Sequence, residues 1–506
     1  METHDPSPAS ARPHSPATGV AEVGRTLAQQ AIETTEAECA GIAKFLQRVE
    51  PPVTTVGLTP AGLPPSIEGL RAVLQRGDLS VAQALALQQR ALRTDSWGCV
   101  ARVPELAGPL PDVALPLAGV GLAHKDIFMW ADHLPGCGAG GPPAGWVPQG
   151  DSTVVQRLAS AGAPALAWLN MAAFACGATA ENERDQPMSN PVDPEAAVGG
   201  SSSGSGVAVA AGLCYGALGT DTAGSVRMPA ATCGVIGLKT TFGLLPGQGV
   251  VPLAPSLDTV GVLARSSADL MAVLTGAMAP AQARTVAQDY DLALRDGLRL
   301  SASFTHASPA GQLAPMVEAT LQSLATEWEA QCMPTLAEMP AWQRLADILL
   351  YAQAADVHRR ALHSPGSLPR QARHLAVTGA AIPPAWHVHA LAQQGVQREK
   401  FLHTALAQAD VLLTPALPCG VPDARLVTTT SPDFQPRQLL ALFSWMSFVN
   451  YLGLPAIVVP VGYDERGRPI AVQAIARPGR EGQLIAFART VEQRRPDAFS
   501  SMTSLK

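Results

Sequence analysis

Charge is scarce in this chain and aromatic residues are scarcer: of 506 residues, 15% are Asp, Glu, Lys or Arg and 5% are Phe, Trp or Tyr, against 47% hydrophobic. The formal net charge is −6 and no run of Lys/Arg is present, so there is no basic field for a phosphate backbone and direct nucleic-acid binding is not expected. The cysteines at 39, 99, 137, 176, 214, 233, 332 and 419 contain no CxxC pair, which argues against a zinc site and a disulfide framework and for buried, reduced thiols. METHDPSPASARPHSPATG lacks a positive leader followed by an apolar stretch, so no secretory signal is expected. No uninterrupted apolar run approaches the roughly 20 residues that span a bilayer, since even VAVAAGLCYGALG is short and broken by glycine. A cytoplasmic protein with no membrane engagement is the expectation.

What is present is ample apolar material for a large core. Residues 1–20 read as a disordered Pro/Ser tail, 21–66 as a helical segment and a proline-rich connector, 67–495 as one large domain, and 496–506 as a C-terminal tail. From about 117, short apolar runs such as LAGVGLAH and APALAWLN alternate with helix-like segments such as DSTVVQRLASAG, where Asp151 is placed to cap and Val154, Val155 and Leu158 share a face. The alternation predicts an α/β fold with a central sheet covered by helices. Residues 268–410 are mostly helical in spacing, with Pro383 and Pro384 opening a helix that runs through His387 to about Ala407. AIVVPVGY and IAVQAIA flank DERGRP as a strand, turn and strand, and GREGQLIAFARTVEQ follows as a helix.

Two serine-bearing loops and one lysine carry the chemistry. Ser201 lies in GGSSSGSG (199–206), Ser225 lies in GTDTAGS (219–225), and Lys125 closes an apolar run in LAHKD. A Gly/Ser cluster is on composition alone a flexible linker. Small residues suited to close packing follow at once, so this one reads as enclosed, its glycines letting backbone amides approach a ligand. GSSSG also fits the G-x-S-x-G nucleophile elbow with Ser202 at its centre, but an elbow follows a strand and MSNPVDPEAAV is polar and proline-broken. No Gly-Lys-Ser/Thr follows, which excludes a Walker A loop. His124 would face the other side of a strand from Lys125. His387 and His389 are two apart on a helix and do not share a face for a metal.

In these segments the chain resembles the amidase signature hydrolases. The likeness lies in Lys125 within HKD, in GGSSSGSGVAVAAG, in GTDTAGSVRMPAATCGVIGLKTTFG, in VPLAPSLDTVGVLAR, in LLTPALP and in NYLGLPAIVVPVGYDERGRPIAVQAIARP, and covers most of 67–495. It implies a single large domain with a central mixed β-sheet covered by helices, and a cofactor-independent site without metal. Ser225 would attack an amide carbonyl, Ser201 on a cis Gly-Ser peptide would relay the proton, and Lys125 would be the terminal base. The backbone amides of Thr222, Ala223, Gly224 and Ser225 would form the oxyanion hole. A lysine is a base only when neutral, and moving its pKa from about 10.4 towards 7 takes on the order of 4 kcal/mol, which burial can supply.

Asp221 and Arg227 flank the nucleophile loop as a candidate ion pair, while Ser202 and Ser205 either hydrogen-bond around Lys125 or satisfy a tight loop. Two residues depart from the family text. Ser203 stands where GGSSGGS has glycine, and Ala223 stands where GTDTGGS has glycine, a strained choice if that position needs positive φ. The expected activity is hydrolysis of the C–N bond of a small-molecule amide, with esters also open. One alternative is the glutaminase-type subunit of a tRNA-dependent amidotransferase; another, resting on Ala223 and Ser203, is a weakly active or non-catalytic binding protein. Substrate and homo-oligomerisation are left open, with Trp342, Leu349, Trp386 and Trp445 as candidate pocket residues.

Overall fold

The computed structural model describes residues 59–106, 109–131, 133–182, 187–305, 311–333, 336–363 and 368–503. The tail expected over 1–20, the helical stretch over 20–50 and the first part of the proline-rich connector fall outside them. An eleven-stranded sheet organises the rest. Its strands are β1 (Val100–Arg102), β2 (Leu122–Lys125), β3 (Ala165–Leu169), β4 (Gly216–Asp221), β5 (Ile236–Lys239), β6 (Thr259–Ala264), β7 (Leu300–Ala302), β8 (Gln331–Cys332), β9 (Val411–Pro415), β10 (Ala456–Tyr463) and β11 (Pro469–Ala476). They lie in the order β1-β3-β2-β4-β6-β5-β10-β11-β9-β7-β8. β2 is parallel to both β3 and β4, whereas β4, β6, β5, β10, β11 and β9 follow one another antiparallel, so the sheet is mixed.

Most central strands are buried along their whole length, as their continuous apolar text requires. The expected hairpin around DERGRP is β10–β11, and the final helix spans Glu481–Arg494. Helices Ile67–Gln75 and Val81–Arg93 open the described chain, the second with a capping box of Ser80 and Gln83. In the predominantly helical middle, Pro384–Thr404 starts where its proline sets φ for a first turn. The sequence missed β7 and β8 there, because strands of three and two residues at the sheet edge carry no readable alternation. Asp151 does not cap the helix Thr153–Ser160: Ser152 occupies the N-cap, and Asp151 Oδ1 accepts from the Ala131 N–H at 2.9 Å instead. Residues 496–503, expected as tail, form a 3-10 turn whose Ala498 carbonyl accepts from Tyr463 Oη at 2.8 Å.

Two helices lie inside rather than on the surface. Ser203–Ala210 (SGSGVAVA) and Arg227–Cys233 (RMPAATC) are buried at every residue, which small side chains permit by letting backbone lie against backbone. Gly204 shows how close the approach is: a Cβ there would stand 2.5 Å from the Asn170 carbonyl oxygen and 2.7 Å from that of Cys99. Gly204→Ala must therefore shift the first helix off β3, and should cost about 1–3 kcal/mol. The check is urea denaturation, where the midpoint should fall at constant slope.

Candidate active site

The parallel pairing of β2 with β4 brings Lys125, the last residue of β2, beside Thr220 and Asp221 at the end of β4. The carboxyl ends of parallel strands are where α/β sheets place ligands. Lys125 Nζ lies 2.8 Å from Ser201 Oγ and 2.8 Å from Thr220 Oγ1. Lys125 and Ser201 are fully buried, while Ser225 retains 6% of its surface, so of the three only the Ser225 hydroxyl is on a residue open to a ligand. Burial pulls the Lys125 ammonium down to about 7, with the Asp258 and Asp221 charges opposing the shift. The Gly200–Ser201 peptide is cis. The Ser202 N–H donates to the Ser225 carbonyl at 3.1 Å, which ties the two serine loops together.

The loop bearing Ser225 is held from within by a buried ion pair. Asp221 Oδ1 accepts from the Gly224 N–H at 2.8 Å and from Arg227 Nη2 at 2.9 Å, and Oδ2 accepts from the Val226 N–H and Arg227 Nε. Burial alone would raise the Asp221 carboxyl, but Arg227 and these donors hold it well below the usual carboxylate range. Arg227 is fully buried and also donates to Gln473 Oε1, Asn450 Oδ1 and the Met446 carbonyl. One correction follows for the expected oxyanion hole: the Gly224 amide is already engaged by Asp221. Among the described residues, the amides of Thr222, Ala223 and Ser225 have no hydrogen-bond acceptor.

The two departures from the family text are accommodated. Positive φ falls on Gly224 (+121°), where a Cβ would stand 2.8 Å from Met446 Cβ, and not on Ala223, so the alanine is unstrained. Ser203 opens the helix Ser203–Ala210, and its hydroxyl donates to the Gly199 carbonyl at 2.7 Å. Ser202 and Ser205 satisfy the loop rather than the lysine: their hydroxyls donate to the carbonyls of Thr220 and Leu218. The elbow reading fails on the same ground, since Ser202 is fully buried and no strand precedes it.

His124 faces away from the serines. It packs near Phe128 and Trp168, accepts from the Leu218 N–H through Nδ1, and is pulled down to about 3 by burial. His387 meets Gln353 at 3.2 Å. Trp342, Leu349 and Trp445, left unplaced by the sequence, belong to a core cluster with Phe401 and Phe448, while Trp386 is exposed.

Sequence reasoning missed four residues that shape the site. Thr220 shares the lysine with Ser201; Asp258 accepts from Thr222 Oγ1 at 2.7 Å and from the Leu253 and Ala254 N–H groups; Asn450 and Gln473 brace Arg227. All four stand inside motifs that carried the resemblance, which was the only signal available for them.

The family model described as Amidase matches residues 107–485. The chain belongs to the amidase family. Curated relatives include a Synechococcus elongatus protein named as a subunit of glutamyl-tRNA(Gln) amidotransferase, 32% identical over 449 residues, which are 82% of this chain and 88% of that one. The protein so named from Halorhodospira halophila is 34% identical over 75% of this chain and 84% of its own length. Among solved structures, a crystal structure of an amidase superposes with a TM-score of 0.73 at 25% identity, covering 85% of this chain and all of that one. An inhibitor-bound complex described as revealing the origins of an s-triazine catabolic enzyme gives 0.73 at 26%, covering 85% and 98%. The family fold, a mixed sheet flanked by helices, is the one described above.

Removing the carboxylate under the loop leaves a buried guanidinium without its counter-charge. Asp221→Ala should therefore cost about 3–5 kcal/mol, whereas Ala223→Gly should cost no more than about 1 kcal/mol. Equilibrium denaturation of the two variants distinguishes a site held by the ion pair from one held by the loop sequence.

Proposed function

We propose that this member of the amidase family hydrolyses a carboxamide through a seryl acyl-enzyme, with Ser225 as nucleophile, Ser201 as proton relay and Lys125 as base. The observation that carries the reading is a buried lysine, brought down to about 7, within 2.8 Å of the Ser201 hydroxyl, with the more open Ser225 on the adjoining loop. Ser225 Oγ attacks the carbonyl carbon as its proton passes to Ser201 and the Ser201 proton passes to neutral Lys125. The oxyanion then meets the free amides of Thr222, Ala223 and Ser225. Collapse breaks the C–N bond, the relay returns a proton to the leaving amine, and water repeats the sequence on the acyl ester to release the carboxylic acid. No cofactor enters this chemistry.

A second reading is supported by the names of the sequence relatives: the same acyl-enzyme formed on glutamine, with ammonia passed to partner subunits. It predicts a copurifying partner that raises glutamine turnover. The binding-protein alternative loses its grounds, because Ala223 and Ser203 are both accommodated.

A small fluorophosphonate tests the nucleophile without knowledge of the substrate. Intact mass and peptide mapping should place the adduct on Ser225. Ser225→Ala should abolish labelling and turnover, and an unchanged turnover rate in that variant would falsify the assignment. Because the base must be neutral, labelling should be suppressed below pH 7, rise through a midpoint near 7 and plateau above it. Lys125→Met should reduce the rate by at least about a hundredfold.

A further inference from the structure

The last turn of the helix Met339–Val357, the short helix Arg359–Leu362, the helix Arg370–Ala380 and the first turn of Pro384–Thr404 border a cavity of about 670 Å³. None of Lys125, Ser201 and Ser225 lines it, so it is separate from the acyl-transfer residues. Its size falls in the range of small-molecule sites, roughly 300–1,000 Å³, and its walls follow their pattern of apolar surface with a few polar groups. Val377 and Ile382 are among the apolar walls, and Asp356, Arg359, His363 and His387 are the polar ones.

Asp356 and Arg359 pair through one atom each, Oδ1 and Nη2, and both side chains stay exposed. Neither side chain makes another hydrogen bond among the described residues, so Asp356 Oδ2 and the Nε and Nη1 atoms of Arg359 are open beside each other. An exposed ion pair is worth little by itself, and a ligand can join it at small cost. His387 adds a donor. Gln353 Oε1 accepts from the Ser256 N–H at 3.0 Å, which sets the orientation of that amide; its Nε2 then donates to Ser256 Oγ at 2.8 Å and to His387 Nε2 at 3.2 Å. The imidazole therefore accepts at Nε2 and carries its proton on Nδ1, and Nδ1 is neither buried nor partnered among the described residues.

We propose that this cavity binds a small zwitterion with an apolar side chain, an apolar α-amino acid being the best match. The walls offer a carboxylate oxygen and a guanidinium edge separated by the width of one ion pair. An α-amino acid holds its ammonium and carboxylate equally close, on one carbon. The ammonium meets Asp356 Oδ2, the carboxylate meets the free edge of Arg359 and the His387 Nδ1–H, and the side chain lies against Val377 and Ile382. A ligand with the carboxylate alone would face the Asp356 charge unpaired, and one with the ammonium alone would face Arg359, so the wall chemistry selects the molecule that carries both. The site holds none of the acyl-transfer residues, and the inference is independent of the activity proposed above.

Calorimetric titration of the full chain with L-phenylalanine tests the site without turnover, with 3-phenylpropanoate, which lacks the ammonium, and 2-phenylethylamine, which lacks the carboxylate, as the comparison ligands. L-Phenylalanine should bind at millimolar concentration or below, and each comparison ligand at least about tenfold more weakly. Asp356→Asn and Arg359→Gln should each weaken L-phenylalanine about tenfold or more, with Tm unchanged because both positions are exposed. Absence of L-phenylalanine binding, or equal affinity in the wild type and both variants, overturns the site. A comparison ligand that matches L-phenylalanine in the wild type overturns the zwitterion as its occupant.

Discussion

Arg227 and Asp221 face each other with no solvent on either side, and the geometry of the loop bearing Ser225 is a consequence of how that pair is satisfied. Two buried charges repay their desolvation only when every remaining donor and acceptor is met. Here the carboxylate takes loop amides at Gly224 and Val226, and the guanidinium takes Gln473, Asn450 and the Met446 carbonyl. The ion pair thus joins the end of β4 to β11 and to the helix Ser447–Tyr451, and the loop bearing Ser225 is pinned between them.

Lysine at the neighbouring position is subject to the opposite electrostatics. Asp221 is held charged because a cation lies against it; Lys125 is pushed towards neutrality by burial, with hydroxyls as its hydrogen-bond partners. Lys239 is likewise brought down to about 7 by burial, but its Nζ is spent on the carbonyls of Thr240 and Leu454. A hydroxyl can exchange a proton with an amine, and a backbone carbonyl cannot. The difference between the two lysines lies in what their nitrogens touch.

The legible parts of the fold were those governed by local periodicity or by turn chemistry. β10 and β11 around DERGRP, and the helix beginning at Pro384, follow from runs of apolar residues punctuated by residues that stop or start elements. Asp151 was misread because an N-cap and a loop acceptor use the same side chain, and only the position of the Ala131 amide decides between them. Trp342 and Trp445 could not be placed because a large aromatic in a helical segment carries no mark of whether it lines a cavity or fills a core, and both fill the core.

By itself the sequence determined the identities in the site: a lysine closing an apolar run, two serines in glycine-rich loops, and an Asp and Arg spaced to clasp one of those loops. These were readable because the chemistry needs particular residue types at short separations along the chain. What only the tertiary structure decided was their employment. That Thr220 shares the lysine, that Gly224 rather than Ala223 takes the left-handed turn, and that Asn450 and Gln473 brace Arg227 all depend on how the strands and loops are brought together. Such contacts are set by the order and direction of strands in the sheet, which no local pattern of residues encodes.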